Sequence, residues 1–315
     1  MPIVSLFCAS HCHGDEIADQ ISQNFGCDCI DNEILELASS RFNVDCHKLL
    51  RSIHGPTSIF NNITRERELC IEYIRIAFAE KLKQGDFIYS GFAGHLVSDK
   101  VKNILRVGII ANNDYRIRQA VKHDGLSEKE ALHRIEVDNK QRFEWTNYLY
   151  NSNPWNQALY DVKIPIHIMP VDRAVELICQ QAENPVLESS ENVMQDIDDQ
   201  ITKSKVKILL ISKGYNVDVS CVDGMVTVLV NKFTLRLERL KNKVAKLVQS
   251  SLGIEDVEIR AGSGFNRPRI SPYDFELPSK ASPGDDEKEY VLTISKRLQD
   301  FEYDHFFEEV ESALL

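Results

Sequence analysis

Between residues 3 and 182, short apolar runs alternate with stretches whose apolar residues recur at helical spacing, and this alternation constrains the fold more than any other feature. Residues 3–7, 27–30, 87–90, 105–111 and 164–168 read as strands, being short, apolar and rich in β-branched side chains. Between them the spacing predicts helices. Residues 15–25 place Ile17, Ala18 and Ile21 on one face, and a second helix with Asp31 as its cap carries Ile34, Leu35, Leu37 and Ala38. Residues 64–84, 114–123 and 171–182 continue the series, with another helix opening at Ser127 in a capping-box pattern with Glu130. Strands joined through helices lie parallel, so the expected fold is α/β: a mostly parallel sheet with helices on both faces.

The chain has 315 residues, 43% hydrophobic and 27% charged, enough to bury a core and too many for one domain. No apolar run approaches the roughly 18 residues of a membrane span. The start lacks a basic n-region and carries Pro2, so neither a secretory signal nor myristoylation is expected. Eight scattered cysteines then read as reduced thiols, which points to the cytoplasm. The net charge of −11 argues against a specific nucleic-acid partner.

Charge also marks boundaries. Residues 181–200 hold six acids and no base, residues 201–262 carry 11 bases against six acids, and residues 270–315 carry four against 12. The expected division is a first domain over 1–183, an acidic linker over 184–197, a second domain over 198–262, a Pro/Gly linker over 263–283 and an acidic helical tail over 284–315. In the second domain the pattern predicts helix 198–211, strand 216–221, a turn at Val222-Asp223-Gly224, strand 225–230, amphipathic helix 234–250 and strand 257–259.

Four stretches of the first domain carry a resemblance. They are Cys29-Ile30-Asp31-Asn32-Glu33-Ile34-Leu35; Gly85-Asp86-Phe87-Ile88-Tyr89-Ser90-Gly91-Phe92-Ala93-Gly94; Tyr115-Arg116-Ile117-Arg118 with Gly125-Leu126-Ser127-Glu128; and Pro154-Trp155-Asn156 with Leu159-Tyr160-Asp161. In this order they resemble the cytidylate kinase-like family of P-loop proteins. The resemblance implies a nucleoside monophosphate kinase fold with an ATP phosphate loop, a monophosphate segment and an arginine-bearing lid, using ATP and Mg²⁺ if active. Carried onto this chain, it assigns catalytic roles to Arg116, Arg118 and Asp31. It assigns nucleotide contacts to Ser10, His13, Gly14, Asp15 and Arg142, and acidic positions to Asp138 and Asp161. The second domain, through Val217-Asp218-Val219, Gly224-Met225-Val226-Thr227-Val228 and Gly253-Ile254-Glu255-Asp256-Val257, resembles a BON domain. That resemblance implies contact with protein or anionic lipid, for which Lys232, Arg236, Arg239, Lys241, Lys243 and Lys246 are candidates. The start of the tail resembles a truncated receiver domain, and its acidity suggests docking on that basic face.

The phosphate loop departs from the pattern. Such a loop needs glycines, so that backbone N–H groups converge on phosphate, and a cation beside them. Here it reads Ala9-Ser10-His11-Cys12-His13-Gly14-Asp15-Glu16, with one glycine, two acids and no Lys or Arg before Arg41. Cys8, His11, Cys12, His13, Cys27 and Cys29 match no standard zinc spacing, and no metal site is expected. Two functions stay open: a regulatory or binding protein with a degenerate phosphate loop and a BON interaction module, or an active kinase moving a phosphoryl group from ATP to CMP or a related acceptor.

Overall fold

The computed structural model describes residues 3–55, 61–230, 236–261 and 290–299. Its chain order opens β1 (Ile3–Cys8), α1 (Gly14–Phe25), β2 (Asp28–Ile30), α2 (Glu33–Phe42), α3 (Cys46–His54), α4 (Asn61–Thr64), α5 (Glu66–Gln84) and β3 (Phe87–Ser90). After a 3₁₀ turn over Phe92–Leu96 come β4 (Ile104–Ile110), α6 (Asn113–Asp124), α7 (Glu128–Tyr150), β5 (Val162–Pro165) and α8 (Val171–Ala182). The β-branched runs form a sheet in the order β2-β3-β1-β4-β5, all parallel. β1 lies at its centre, with Ile3, Val4, Leu6 and Phe7 buried because helices cover both faces.

Several boundaries differ from the sequence expectation. The cap of α2 is Asn32, one residue past Asp31. The helix expected to start at residue 64 is interrupted at Arg65, which is left-handed with φ 49°, leaving α4 as a separate turn. α3, with one apolar face of Leu49 and Ile53, was not anticipated. α5 buries Cys70, Ile71, Ile74, Ile76, Ala77, Phe78, Ala79 and Leu82, more than one face of a helix, as suits a helix packed between the sheet and further helices.

The remaining elements are α9 (Glu191–Ser212), β6 (Val217–Val222), β7 (Met225–Val230), α10 (Leu237–Leu252), β8 (Val257–Ala261), β9 (Thr293–Ile294) and α11 (Lys296–Gln299). α9 starts inside the stretch 184–197 expected to be linker, and it belongs to two cores. Val193, Ile197 and Ile201 join the first core, while Val206 and Leu210 join the second with the inward residues of β6 and β7 and with Val244 and Val248 of α10. From α9 onward the order is αββαβ, with β6 and β7 antiparallel and β8 parallel to β7. Asp223 and Gly224, with φ 51° and 78°, form the tight turn of the hairpin. Asp199 of α9 holds that turn, accepting from the amides of Asp223 at 2.6 Å and Gly224 at 2.9 Å.

The junction of the two units is polar. Glu72 of α5 is fully buried and accepts from Arg75 at 2.5 Å, Lys207 at 2.8 Å and Ser204 at 2.7 Å. Burial pushes its carboxyl up, but Arg75 and Lys207 outweigh that and hold it at about 2.

The described part of the tail lies on the first unit, not on the basic face of α10. β9 adds antiparallel to β5, and Arg297 pairs side-on with Asp161, through Nε at 2.6 Å and through Nη2 to the second carboxylate oxygen. The tail aromatics Phe301, Tyr303, Phe306 and Phe307, and Lys232, lie outside the described residues.

Candidate functional site

β1, β3 and β4 end on the same edge of the sheet, where crossovers diverge and open α/β folds hold their ligands. A cleft of about 480 Å³ opens there, between the loop 8–16, the start of the turn after β3, α6 and Arg142 of α7. The Ala9 amide still pairs with the Ile109 carbonyl at 2.9 Å, so the chain leaves the sheet only at Ser10. His11 and His13 then adopt left-handed backbone, φ 57° and 59°, which turns the chain sharply into α1. Gly14 has a steric reason: a Cβ there would stand 2.9 Å from the Cys8 Cβ and 3.1 Å from its Sγ. The one glycine of the loop therefore brings the helix start against the strand end.

Beneath the loop lies a charged network. Arg116 of α6 is fully buried and donates to the Ser10 carbonyl through Nε at 2.9 Å, to the Ser10 hydroxyl through Nη2 at 2.7 Å and to Asn139 through Nη1 at 2.8 Å. Asp138 of α7 balances it. A single carboxylate oxygen accepts from Arg142 Nε at 2.8 Å, from the Ser10 amide at 3.2 Å and from Arg116 at 3.3 Å. Burial alone would raise the Asp138 carboxyl, yet Arg142 and then Arg116 hold it below the usual range. Arg142 lies with its guanidinium 4.8 Å from the Phe7 ring centre and 4.7 Å from that of Phe92, within cation–π reach of both.

The mouth of the cleft carries histidines and acids. His13 bonds Glu16 at 2.8 Å through Nδ1 and the Tyr115 hydroxyl at 3.0 Å through Nε2. His11 faces Asp124 at 3.5 Å, and burial draws its pKa down despite that neighbour. Arg142 is the one Lys or Arg among the described lining residues, against Asp15, Glu16 and Asp124. Cys8 and Cys12 also line it; burial pushes both thiols up, Cys12 to about 12, so neither is a ready nucleophile. Among the described residues no three His, Cys, Asp or Glu side chains are grouped to hold a metal.

Of the residues singled out in the sequence, Ser10, His13, Gly14, Asp15 and Arg142 meet in this cleft, and Arg116 lies beneath it. Arg118 is exposed and does not line it, nor does Asp31, which is exposed and bonds Asn32. Asp161 is engaged by Arg297 and by the Arg106 amide at 2.8 Å. Tyr115, Gln119 and His123 were missed as a group. They recur every four residues on α6, a spacing that places them on one face.

The cytidylate kinase-like family model matches residues 3–167. The chain belongs to the cytidylate kinase-like family. The match covers the parallel sheet through β5 and every lining residue of the cleft. No curated protein sequence matches the chain. Solved structures similar to this family member include an uncharacterized protein from Eubacterium ventriosum, 17% identical with a TM-score of 0.44, covering 58% of this chain and 99% of that one. A shikimate kinase from Bacteroides thetaiotaomicron is 11% identical with a TM-score of 0.34, over 57% and 97% of the two chains. A shikimate kinase from Acinetobacter baumannii, in complex with shikimate, is 9% identical with a TM-score of 0.33, over 57% and 92%.

Proposed function

We propose that this family member is a binding or regulatory protein whose phosphate loop is degenerate, rather than an efficient kinase. The observation that carries the reading is the position of Arg116. In phosphoryl transfer, basic groups neutralise charge on the moving phosphoryl group. Here the lid arginine is buried beneath the loop and spends its donors on Ser10, Asn139 and Asp138. Arg142 is bonded to the same Asp138 and within cation–π reach of two rings. Asp15 and Glu16, in the first turn of α1, occupy the place where a triphosphate would need donors and a cation. These residues do not fit ATP with Mg²⁺. The cleft suits a polar ligand that can donate to carboxylates and accept from His or Gln119.

The αββαβ unit, on the same reading, is a BON-type module that meets an acidic protein or anionic lipid through Arg239 and Lys246 on α10, both exposed. On this reading the protein acts in the cytoplasm. No helix among the described residues is long and apolar enough to cross a membrane. The competing reading, an active kinase acting on CMP or a related acceptor, rests on Arg142, the guanidinium that lines the cleft.

Isothermal titration with ATP, ADP and CMP, each with and without Mg²⁺, separates the two. The expected result is no saturable binding of Mg·ATP at micromolar concentration. Tight Mg·ATP binding with ADP released on adding CMP overturns the proposal.

A further inference from the structure

A second cleft, of about 400 Å³, lies between the two units, walled by Arg75 of α5, the segment after β3, and α9 with β6. Its buried polar groups are left with donors to spare. Gln200 is 5% exposed; its Oε1 accepts from the Ser98 amide at 2.6 Å, while its Nε2 is buried with no partner among the described residues. Buried donors are nearly always satisfied in folded proteins, so an unmet one calls for an acceptor. His95, 7% exposed, likewise has both ring nitrogens unpartnered among the described residues, and burial keeps the ring neutral with one N–H to offer.

Arg75, Lys100 and Lys203 supply the cationic side chains of the cleft. Lys203 is half-buried and forms no ion pair among the described residues. Burial and the neighbouring Arg75 make its charged form costly, so a counter-charge would be welcome. Arg75 spends Nε on the Leu96 carbonyl at 3.1 Å and Nη1 on Glu72, and its Nη2 has no partner among the described residues. The adjacent carboxylate of Asp199 cannot serve, since it already accepts from the amides of Asp223 and Gly224 and from Gln195 at 3.0 Å. Asp99 and Asp196 line the cleft too, and neither pairs with Lys203.

We propose that this cleft is a binding site for a small phosphate-bearing molecule, its phosphoryl oxygens accepting from Lys203 Nζ, Arg75 Nη2 and Gln200 Nε2. Two cationic groups and a neutral amide donor suit a dianionic phosphate better than a monoanionic carboxylate. The site is independent of the first cleft, which Lys203 does not line. It is shared by both units, so occupancy there would tighten their junction.

Calorimetric titration of the full chain with inorganic phosphate, pyrophosphate and citrate at matched ionic strength tests this. The expected result is one saturable site for phosphate or pyrophosphate, weakened about tenfold or more by Lys203→Met and kept by Lys203→Arg. Thermal melts establish that each variant is folded, and Lys203→Gln, for which the same weakening is expected, replaces Lys203→Met if that variant is not. Absence of saturable phosphate binding, undiminished binding by a folded Lys203→Met, or citrate bound as tightly as pyrophosphate would each overturn it. Failure here leaves the nucleotide titration of the first cleft untouched, so the two readings fail separately.

Discussion

Arg116 grips Ser10 at two points, its Nε on the carbonyl at 2.9 Å and its Nη2 on the hydroxyl at 2.7 Å, across 106 residues of sequence. The loop after β1 is thereby anchored from below. An arginine positioned to neutralise a ligand must face the cleft; this one has no exposed surface.

Replacing Arg116 with Met leaves Asp138 with a single arginine and Ser10 without its donor. Removing one partner from a buried ionic network costs about 3–5 kcal/mol. The urea midpoint should fall accordingly, and a loss under about 1 kcal/mol would show that the network does not hold the loop.

Glu72 predicts a pH dependence. Its folded pKa of about 2 lies below the ordinary 4.5, so the folded state binds the proton more weakly than the unfolded chain. The contribution is complete above pH 4.5 and is lost as pH falls toward 2; its size is on the order of 3 kcal/mol. Urea melts between pH 7 and pH 3 should show stability dropping only at the acid end, and Glu72→Gln should flatten that drop. A Glu72→Gln protein with the same acid profile as the parent would remove Glu72 from the account.

Arg297→Ala removes the paired contact on Asp161 and the Arg297 bonds to the carbonyls of Lys102 at 3.0 Å and Ile104 at 2.8 Å. β9 is two residues long and should not hold the sheet edge without them. Hydrogen exchange at the Ser295 amide, bonded to the Asp161 carbonyl at 2.6 Å, should accelerate at least tenfold. Unchanged protection would mean that the strand docks without the arginine.

Asp199→Ala withdraws the acceptor from the Asp223 and Gly224 amides at the hairpin tip. The turn keeps its left-handed residues, so the hairpin should form but the second unit should lose about 1–3 kcal/mol. Asp199→Asn, which keeps one acceptor oxygen, should lose less. Equal losses in the two variants would show that packing, not the hydrogen bonds, is at stake.

Gly14→Ala sets a methyl group against Cys8 at 2.9 Å. The strand end cannot move without disturbing β1, so a cost of about 1–3 kcal/mol is expected. The double variant with Cys8→Gly should recover part of it, and no recovery would place the strain elsewhere.

Local pattern made much of the fold readable. The period of 2 in β6, with Val217, Val219 and Cys221 buried and their neighbours exposed, and the Asp-Gly turn after it are properties of adjacent residues. The same holds for the capping box at Ser127, which forms as expected, with its hydroxyl accepting from the Glu130 amide at 3.3 Å. The start of α9 was misread because its first turns are acidic and look like linker; they are helical because Val193 and Ile197 pack into the first core.

The amino-acid sequence by itself determined the succession of elements, the parallel character of the sheet and the scarcity of glycine and cation in the loop, since each depends on residues near one another along the chain. Tertiary structure alone decided that Arg116 lies buried beneath the loop and bonds Ser10, that one helix serves two cores, and that Arg297 closes on Asp161 from 136 residues away. The physical reason is that what a charge does depends on its burial and on the groups packed around it, and a folded chain draws those groups from anywhere along its length.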